Sequence, residues 1–326
     1  MLWIKLTFHT KNEAVDWVCT LLTATRYIDD IYVTNYTDVD ISSSDRSDVS
    51  QPQWAFTIHL YVAHDTNAYE RIEEIANSLL SLQRAGLCTP IEETVVENKP
   101  QLGGLNPVAN RIGQRFVILN PDIPYESKAV DEIVLRLKSS LAFGSGLHPT
   151  TILSLRLLER HVAPSMNVLD LGSGSGILSV AMAKLGAQVL AVDNDSIAVQ
   201  STQDAVNLNG VEPQVTVMRG SLGRGSDLGH WMGIGTIDNV PTIKDTETFD
   251  LIAANILGRM HITLAPDFRQ ALRRDGVHSG LLIASGFDTD YEDIITTTFT
   301  EAGFEAVDRE SFDEWVAVAY QIKDEG

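Results

Sequence analysis

The sequence predicts an α/β protein: a doubly wound, mostly parallel sheet ending in an antiparallel C-terminal hairpin, preceded by a small α+β unit of ferredoxin-like type. Three observations carry this expectation. From 167 to 285 short apolar strands alternate with helical patterns, which is the pattern of a parallel sheet covered on both faces. After it, FEAVDRE and WVAVAYQI follow each other too closely for a crossover helix, so they pair antiparallel. Residues 1–97 order their elements as βαββαβ.

Taken in order, WIKLTF alternates as a strand, and NEAVDWVCTLL places Ala14, Val15, Val18, Leu21 and Leu22 at helical spacing. DDIYVTNYTDVDI is rich in β-formers, and SSSDRSDVSQPQ reads as a polar loop. WAFTIHLYV is a strand, AYERIEEIANSLLSLQ a helix with Ile72, Ile75, Ala76, Leu79 and Leu80 on one face, and IEETVVE a closing strand. The stretch 98–110 gathers Pro100, Gly103, Gly104 and Pro107 and marks a linker, so residues 1–97 form one domain and 111–326 another. RFVILNP is a strand, and the run from Lys128 to Val162 holds a helix on each side of a glycine-rich turn. Then come NVLDL, ILSVAMAKLG, QVLAVD, SIAVQSTQDAVNLNG, QVTVMRG, TFDLIAAN, a long helix through RQALRRDG, and HSGLLIASG. The glycine-rich tract 220–247 reads as a surface insertion, and YEDIITTTFTEAG as the helix before the final hairpin.

Composition narrows the function. With 24 Lys+Arg against 44 Asp+Glu the formal charge is -20, which repels a phosphate backbone and favours cationic partners; no direct nucleic-acid binding is expected. No run reaches the roughly 18 apolar residues of a membrane span, and neither export nor membrane insertion is expected. Cys19 and Cys88 are far apart and form no C-x-x-C, so a reducing, cytoplasmic setting fits. The histidines are scattered, and no metal site is expected.

The strongest constellation is VLDLGSGSG, a strand running into Gly172, Gly174 and Gly176 and then a helix. Glycines there allow a tight turn and close backbone approach to a ligand, beside amides at a helix N-terminus. The next strand ends in Asp193, placed to accept both hydroxyls of a ribose. The G-x-G-x-G spacing, with Ile177 where a dinucleotide fingerprint has its last glycine, favours S-adenosylmethionine over NAD. Asn255 stands at the end of another strand, where its carbonyl could orient a nucleophilic amine or its side chain could cap the following helix. Gly144 and Gly146 could shape a turn ahead of a helix capped by Thr150 or Thr151, or a loop that closes over a ligand. His148 reads as a packing residue, and Phe143 and Trp315 as core or pocket aromatics.

With these residues in place the chain resembles the ribosomal protein L11 methyltransferase family, the PrmA type of class I S-adenosylmethionine-dependent methyltransferases. AFGSGLHPTT (142–151) is similar to that family's AFGTGxHxTT; DLGSGSGILSVAMAKLGA, VDND, ANIL and the late EWV follow in the family's order. Ser145 replaces the usual Thr, and the 220–247 tract is longer than usual. The resemblance implies S-adenosylmethionine as cofactor, held by Thr151, Gly172, Gly174, Asp193 and Asn255, with Asn255 also aligning the acceptor. It implies transfer to lysine ε-amines, and to the N-terminal α-amine, of ribosomal protein L11, with residues 1–97 recognising that protein. These residues carry six Lys+Arg and fifteen Asp+Glu, a charge of -9, which suits a basic partner. The rival expectations are a related enzyme with another substrate and a non-catalytic cofactor-binding scaffold.

Overall fold

The computed structural model describes residues 2–25, 31–36, 54–99, 110–121, 123–138, 144, 146–223, 240–244, 246–274 and 280–323. The linker expected at 98–110 and the insertion expected at 220–247 lie largely outside the described residues, as do Ala142, Phe143 and Ser145. The chain divides into two compact units. The first comprises Met1–Ala109, Leu119–Glu126 and Lys138–His148; the second comprises Asn110–Ile118, Ser127–Leu137 and Pro149–Gly326.

In the first unit the elements are β1 (Trp3–Thr10), a 3-10 turn (Asn12–Ala14), α1 (Val15–Ala24), β2 (Tyr32–Asn35), β3 (Phe56–Ala63), α2 (Ala68–Arg84) and β4 (Glu92–Val96). The sheet runs β2-β3-β1-β4 with antiparallel neighbours, the ferredoxin-like order the βαββαβ pattern predicts. Alternate β1 residues Ile4, Leu6 and Phe8 turn inward to meet Val15, Val18 and Leu22 of α1 and Ile72, Ile75 and Leu79 of α2. Leu80 is a correction: it is 39% exposed, because it lies past the edge of the stripe that Ile72, Ile75 and Leu79 define.

The second unit opens with β5 (Asn110–Ile112), β6 (Phe116–Leu119) and β7 (Ile133–Arg136), a three-stranded sheet. Here the expected helix before the glycine-rich turn is replaced by β7. Its Ile133 and Leu135 alternate inward as a strand demands, and Ile133 donates its amide to the Arg115 carbonyl. After the turn α3 (Pro149–His161) forms as expected, with proline at its first position, where no amide donor is missed.

There follow β8 (Asn167–Leu171), α4 (Ile177–Lys184), β9 (Gln188–Asp193), α5 (Ser196–Asn209), β10 (Val215–Arg219), the short parallel pair β11 (Ser221–Leu222) and β12 (Thr242–Ile243), β13 (Leu251–Asn255), α6 (Gly258–Ala271), β14 (Leu281–Asp288), α7 (Thr289–Glu301), β15 (Phe304–Phe312) and β16 (Trp315–Ile322). The seven-stranded sheet runs β10-β9-β8-β13-β14-β16-β15, parallel except for β16, which pairs antiparallel with both neighbours. Successive strand residues feed opposite faces. Val168 and Ala253 join the core under α3, α4 and α5, whereas Leu169 and Ile252 join the core under α6 and α7. The chain goes outward from β8 to β9 and β10 and returns to start β13 on the other side of β8. The carboxyl ends of β8 and β13 therefore flank a topological switch point, the place where open α/β sheets bind ligands.

Candidate active site

At the carboxyl end of β8 the backbone turns through Gly172, Gly174 and Gly176, all with positive φ. The turn is tied to β9, because the amides of Gly172 and Ser173 both donate to the Val192 carbonyl, at 2.8 and 3.1 Å. Gly176, at φ +81°, initiates α4, and a Cβ there would lie 2.9 Å from Thr202 Cα on α5. Thr202 also donates to the Gly174 carbonyl at 3.0 Å and shares a hydrogen bond with Ser173 Oγ at 2.8 Å, so α5 locks the turn's shape.

Asp193, one strand over, is 6% exposed. Its Oδ2 accepts the Gly174 amide and its Oδ1 the Asp195 amide, each at 3.0 Å. A carboxylate has about four lone-pair sites, so acceptor capacity remains for a diol. Burial pushes Asp193 up to about 6, against the pull of these backbone donors. Asp170, on β8 below the turn, is fully buried. Ser179 donates to one of its oxygens and the other has no hydrogen-bond partner. Burial pushes Asp170 up to about 7, with the Asp193 charge acting in the same direction.

Gly172 and Asp193 line one open cleft with Val192, Ile256, Met260 and Leu264. A flat apolar ring system fits the aliphatic wall, a ribose diol fits Asp193, and the glycine turn leaves room for a ligand's backbone-like portion. The residues present thus fit S-adenosylmethionine.

Thr151 and Asn255 come together beside this cleft. Asn255 follows Ala254, which pairs with Leu171, and so stands next to Gly172 across the switch point. It is 8% exposed; its Nδ2 donates to Thr151 Oγ1 at 3.5 Å, and its Oδ1 has no hydrogen-bond partner. The capping alternative for Asn255 is overturned, since the N-cap of α6 is Leu257. Thr150 and Thr151 are not caps either, because α3 already begins at Pro149. His148 is 3% exposed and burial holds it down at about 4, so it is a neutral packing residue. Among the described residues no group of three or more His, Cys, Asp or Glu side chains is placed to hold a metal.

Three residues at the site escaped the sequence. Thr202 lies in mid-helix with no motif around it. Met260 and Leu264 sit at helical spacing and are indistinguishable, in sequence, from ordinary core residues.

Comparison with known proteins agrees with this geometry. The sequence profile of the ribosomal protein L11 methyltransferase (PrmA) matches residues 2–323. The ribosomal protein L11 methyltransferase of Chloroflexus aurantiacus is 37% identical over 329 residues, covering 98% of both chains. That of Herpetosiphon aurantiacus is 34% identical over 330 residues, covering 98% of this chain and 99% of its own. A crystal structure of ribosomal protein L11 methylase from Lactobacillus delbrueckii subsp. bulgaricus, 27% identical, matches with a TM-score of 0.50 over 65% of this chain and 97% of that one. On the profile match, the near-full-length identity and the site just described, the chain belongs to the ribosomal protein L11 methyltransferase family.

Proposed function

We propose that this protein transfers methyl groups from S-adenosylmethionine to amines of ribosomal protein L11, lysine ε-amines first and the N-terminal α-amine as a further acceptor. The observation that carries the reading is the cleft itself: a positive-φ glycine turn and a buried carboxylate on adjacent strands, with the unpaired Asn255 carbonyl at the neighbouring strand end. When bound, the cofactor supplies a methyl group already activated by its sulfonium. The chain's own residues then have three tasks. Asp193 accepts the ribose hydroxyls, and the glycine turn, whose Gly172, Ser173 and Gly174 amides are committed to Val192 and Asp193, lets the rest of the ligand come close to the backbone. Asn255 Oδ1 accepts an N–H of the incoming neutral amine and aims its lone pair, which supplies orientation rather than acid/base power. A lysine of ordinary pKa near 10.4 must shed a proton to react, and a poorly solvated site favours its neutral form.

Within this reading residues 1–97 recognise the protein substrate, 98–110 connect, and 111–326 catalyse. The -9 charge of residues 1–97 suits a basic ribosomal protein and opposes direct nucleic-acid binding. Among the described residues no helix is long and apolar enough to cross a membrane, and a ribosomal substrate points to the cytoplasm. Mass spectrometry of L11 digested after incubation with the protein and cofactor tests the acceptor chemistry. Mass additions of one or more methyls on lysine-containing peptides are expected; methylation confined to other side chains would contradict it.

A further inference from the structure

His261 lies near the start of α6 and is fully buried, its ring facing Phe268, Phe287 and Phe299. Burial holds the ring neutral, down at about 4, against the pull of backbone hydrogen bonding at Ser285 and Ile256. A neutral imidazole has one N–H, and here its use is fixed. Nε2 lies 2.8 Å from the Ser285 carbonyl, which can only accept, so Nε2 donates and Nδ1, which has no hydrogen-bond partner, is the bare nitrogen. A buried ring with one nitrogen unmatched costs the fold stability, so the bond to Ser285 is what distinguishes histidine from phenylalanine in this apolar pocket.

The Ser285 carbonyl is a junction. Ser285 faces Asn255 in the β13–β14 register, and its carbonyl also accepts the amide of Ile256, the residue after Asn255, at 3.1 Å. The pairing of β14 with β16 slips between Ala284 and Phe287, so Ser285 lies outside that ladder and its carbonyl serves β13 and α6. Gly286, at φ +90°, brings the two strand ends into backbone contact, since an added Cβ would collide with the Ile256 carbonyl oxygen. The Ser285 hydroxyl reaches α3, where Ser154 Oγ lies 2.5 Å away; Ser154 donates to the Thr150 carbonyl at 2.8 Å, so Ser285 donates to Ser154. Thr151, beside Thr150, accepts from Asn255 Nδ2. The backbone that follows Asn255 and the helix turn that holds its side chain are thus both tied to Ser285.

We propose that His261 is a positioning residue for Asn255: by holding the Ser285 carbonyl through Nε2–H it sets where the carboxyl end of β13 stops, and so where Asn255 Oδ1 meets the acceptor amine. This rests on the reading of Asn255 as the residue that aligns that amine. His261 supplies no proton and touches no reacting atom. Its effect falls on kcat, because a displaced Oδ1 misaligns the amine lone pair without removing Asp193 or the glycine turn from the cofactor.

The test is a double-mutant cycle in the full-length protein, with kcat for methyl transfer to L11 and calorimetric affinity for S-adenosylhomocysteine measured on variants checked for folding by circular dichroism. His261→Phe, which fills the pocket and removes the donor, is expected to lower kcat about tenfold, with cofactor affinity within about threefold of wild type. His261→Gln, which keeps a side-chain N–H, should stay within about threefold of the wild-type kcat. In an Asn255→Ala background His261→Phe should cost less than about twofold more, since the residue it positions is gone. Phe299→Leu loosens the same core, so its melting temperature should fall while kcat stays within about twofold of wild type. Wild-type kcat in a folded His261→Phe overturns the proposal, as does its full loss repeated on top of Asn255→Ala, a glutamine variant as slow as the phenylalanine one, or an equal loss in Phe299→Leu. If His261→Phe does not fold, His261→Leu, smaller and also without a donor, is judged by the same criteria. A wild-type protein that does not methylate L11 would instead defeat the functional reading itself, and an Asn255→Ala enzyme at the wild-type rate the alignment reading; either takes this inference with it.

Discussion

Asn255 donates its side-chain amide to Thr151 Oγ1 across 3.5 Å while its own Oδ1, buried at the end of β13, has no hydrogen-bond partner. A buried carbonyl left unpaired costs about 1–3 kcal/mol, a cost that an incoming amine N–H would offset. Thr151 fixes the amide's orientation and so leaves the oxygen facing away from it. Asn255→Ala should therefore lower kcat about 10- to 100-fold while cofactor affinity changes far less. Steady-state kinetics with both substrates varied decide this. A variant with wild-type kcat and a raised KM for the cofactor would make Asn255 a binding residue with no alignment role.

Asp193 makes cofactor binding depend on pH. Burial raises it to about 6, and the ribose hydroxyls need its ionised form as acceptor. Affinity should be level above pH 7 and fall as pH drops through 6, approaching about tenfold per pH unit well below that value. Asp193→Asn should bind more weakly at neutral pH and lose this dependence. Titrations of S-adenosylhomocysteine from pH 5 to 8 give the comparison. A parallel pH slope in the asparagine variant would place the titration elsewhere.

Asp170 has the opposite effect on stability from a salt-bridged carboxylate. Its folded value, about 7, lies above the usual 3.8, so the folded protein binds the proton more tightly than the unfolded chain does. Its contribution is most favourable below about pH 4 and is lost progressively as pH rises to about 7. Asp170→Asn should keep the Ser179 hydrogen bond and remove the buried charge. Relative to wild type it should be stabilised by up to a few kcal/mol at pH 8, with the difference shrinking toward pH 4. Denaturant melts at both pH values check the sign, and a difference that grows on acidification would refute it.

Gly176 is the position in the glycine turn where substitution meets backbone. At φ +81°, with Thr202 Cα 2.9 Å from the point an added Cβ would occupy, Gly176→Ala must shift either α4 or α5. A loss of about 1–3 kcal/mol is expected, along with weaker cofactor binding. Urea denaturation and calorimetry measure the two effects. An alanine variant as stable and as tightly binding as wild type would mean the turn relaxes without cost.

What the sequence reveals depends on how local its cause is. The strands of the parallel sheet, the glycine turn and Asp193 are legible because apolar runs and fixed spacings determine them over a few residues. Residues 133–136 are not. Their Lys- and Glu-containing flanks suit a helix, and the strand forms through pairing with β6, a contact that lies outside any local window. Thr202 and Met260 enter the site from helices whose patterns report burial alone.

Everything above converges on methyl transfer from this cleft to ribosomal protein L11. The most direct measurement is transfer of labelled methyl from S-adenosylmethionine to total ribosomal protein of the host, separated and identified by mass spectrometry, with wild type and Asp193→Ala side by side. Label should accumulate in L11, and the alanine variant, folded by circular dichroism, should lose most of it. Label confined to another protein, or equal labelling of L11 by both enzymes, would contradict it.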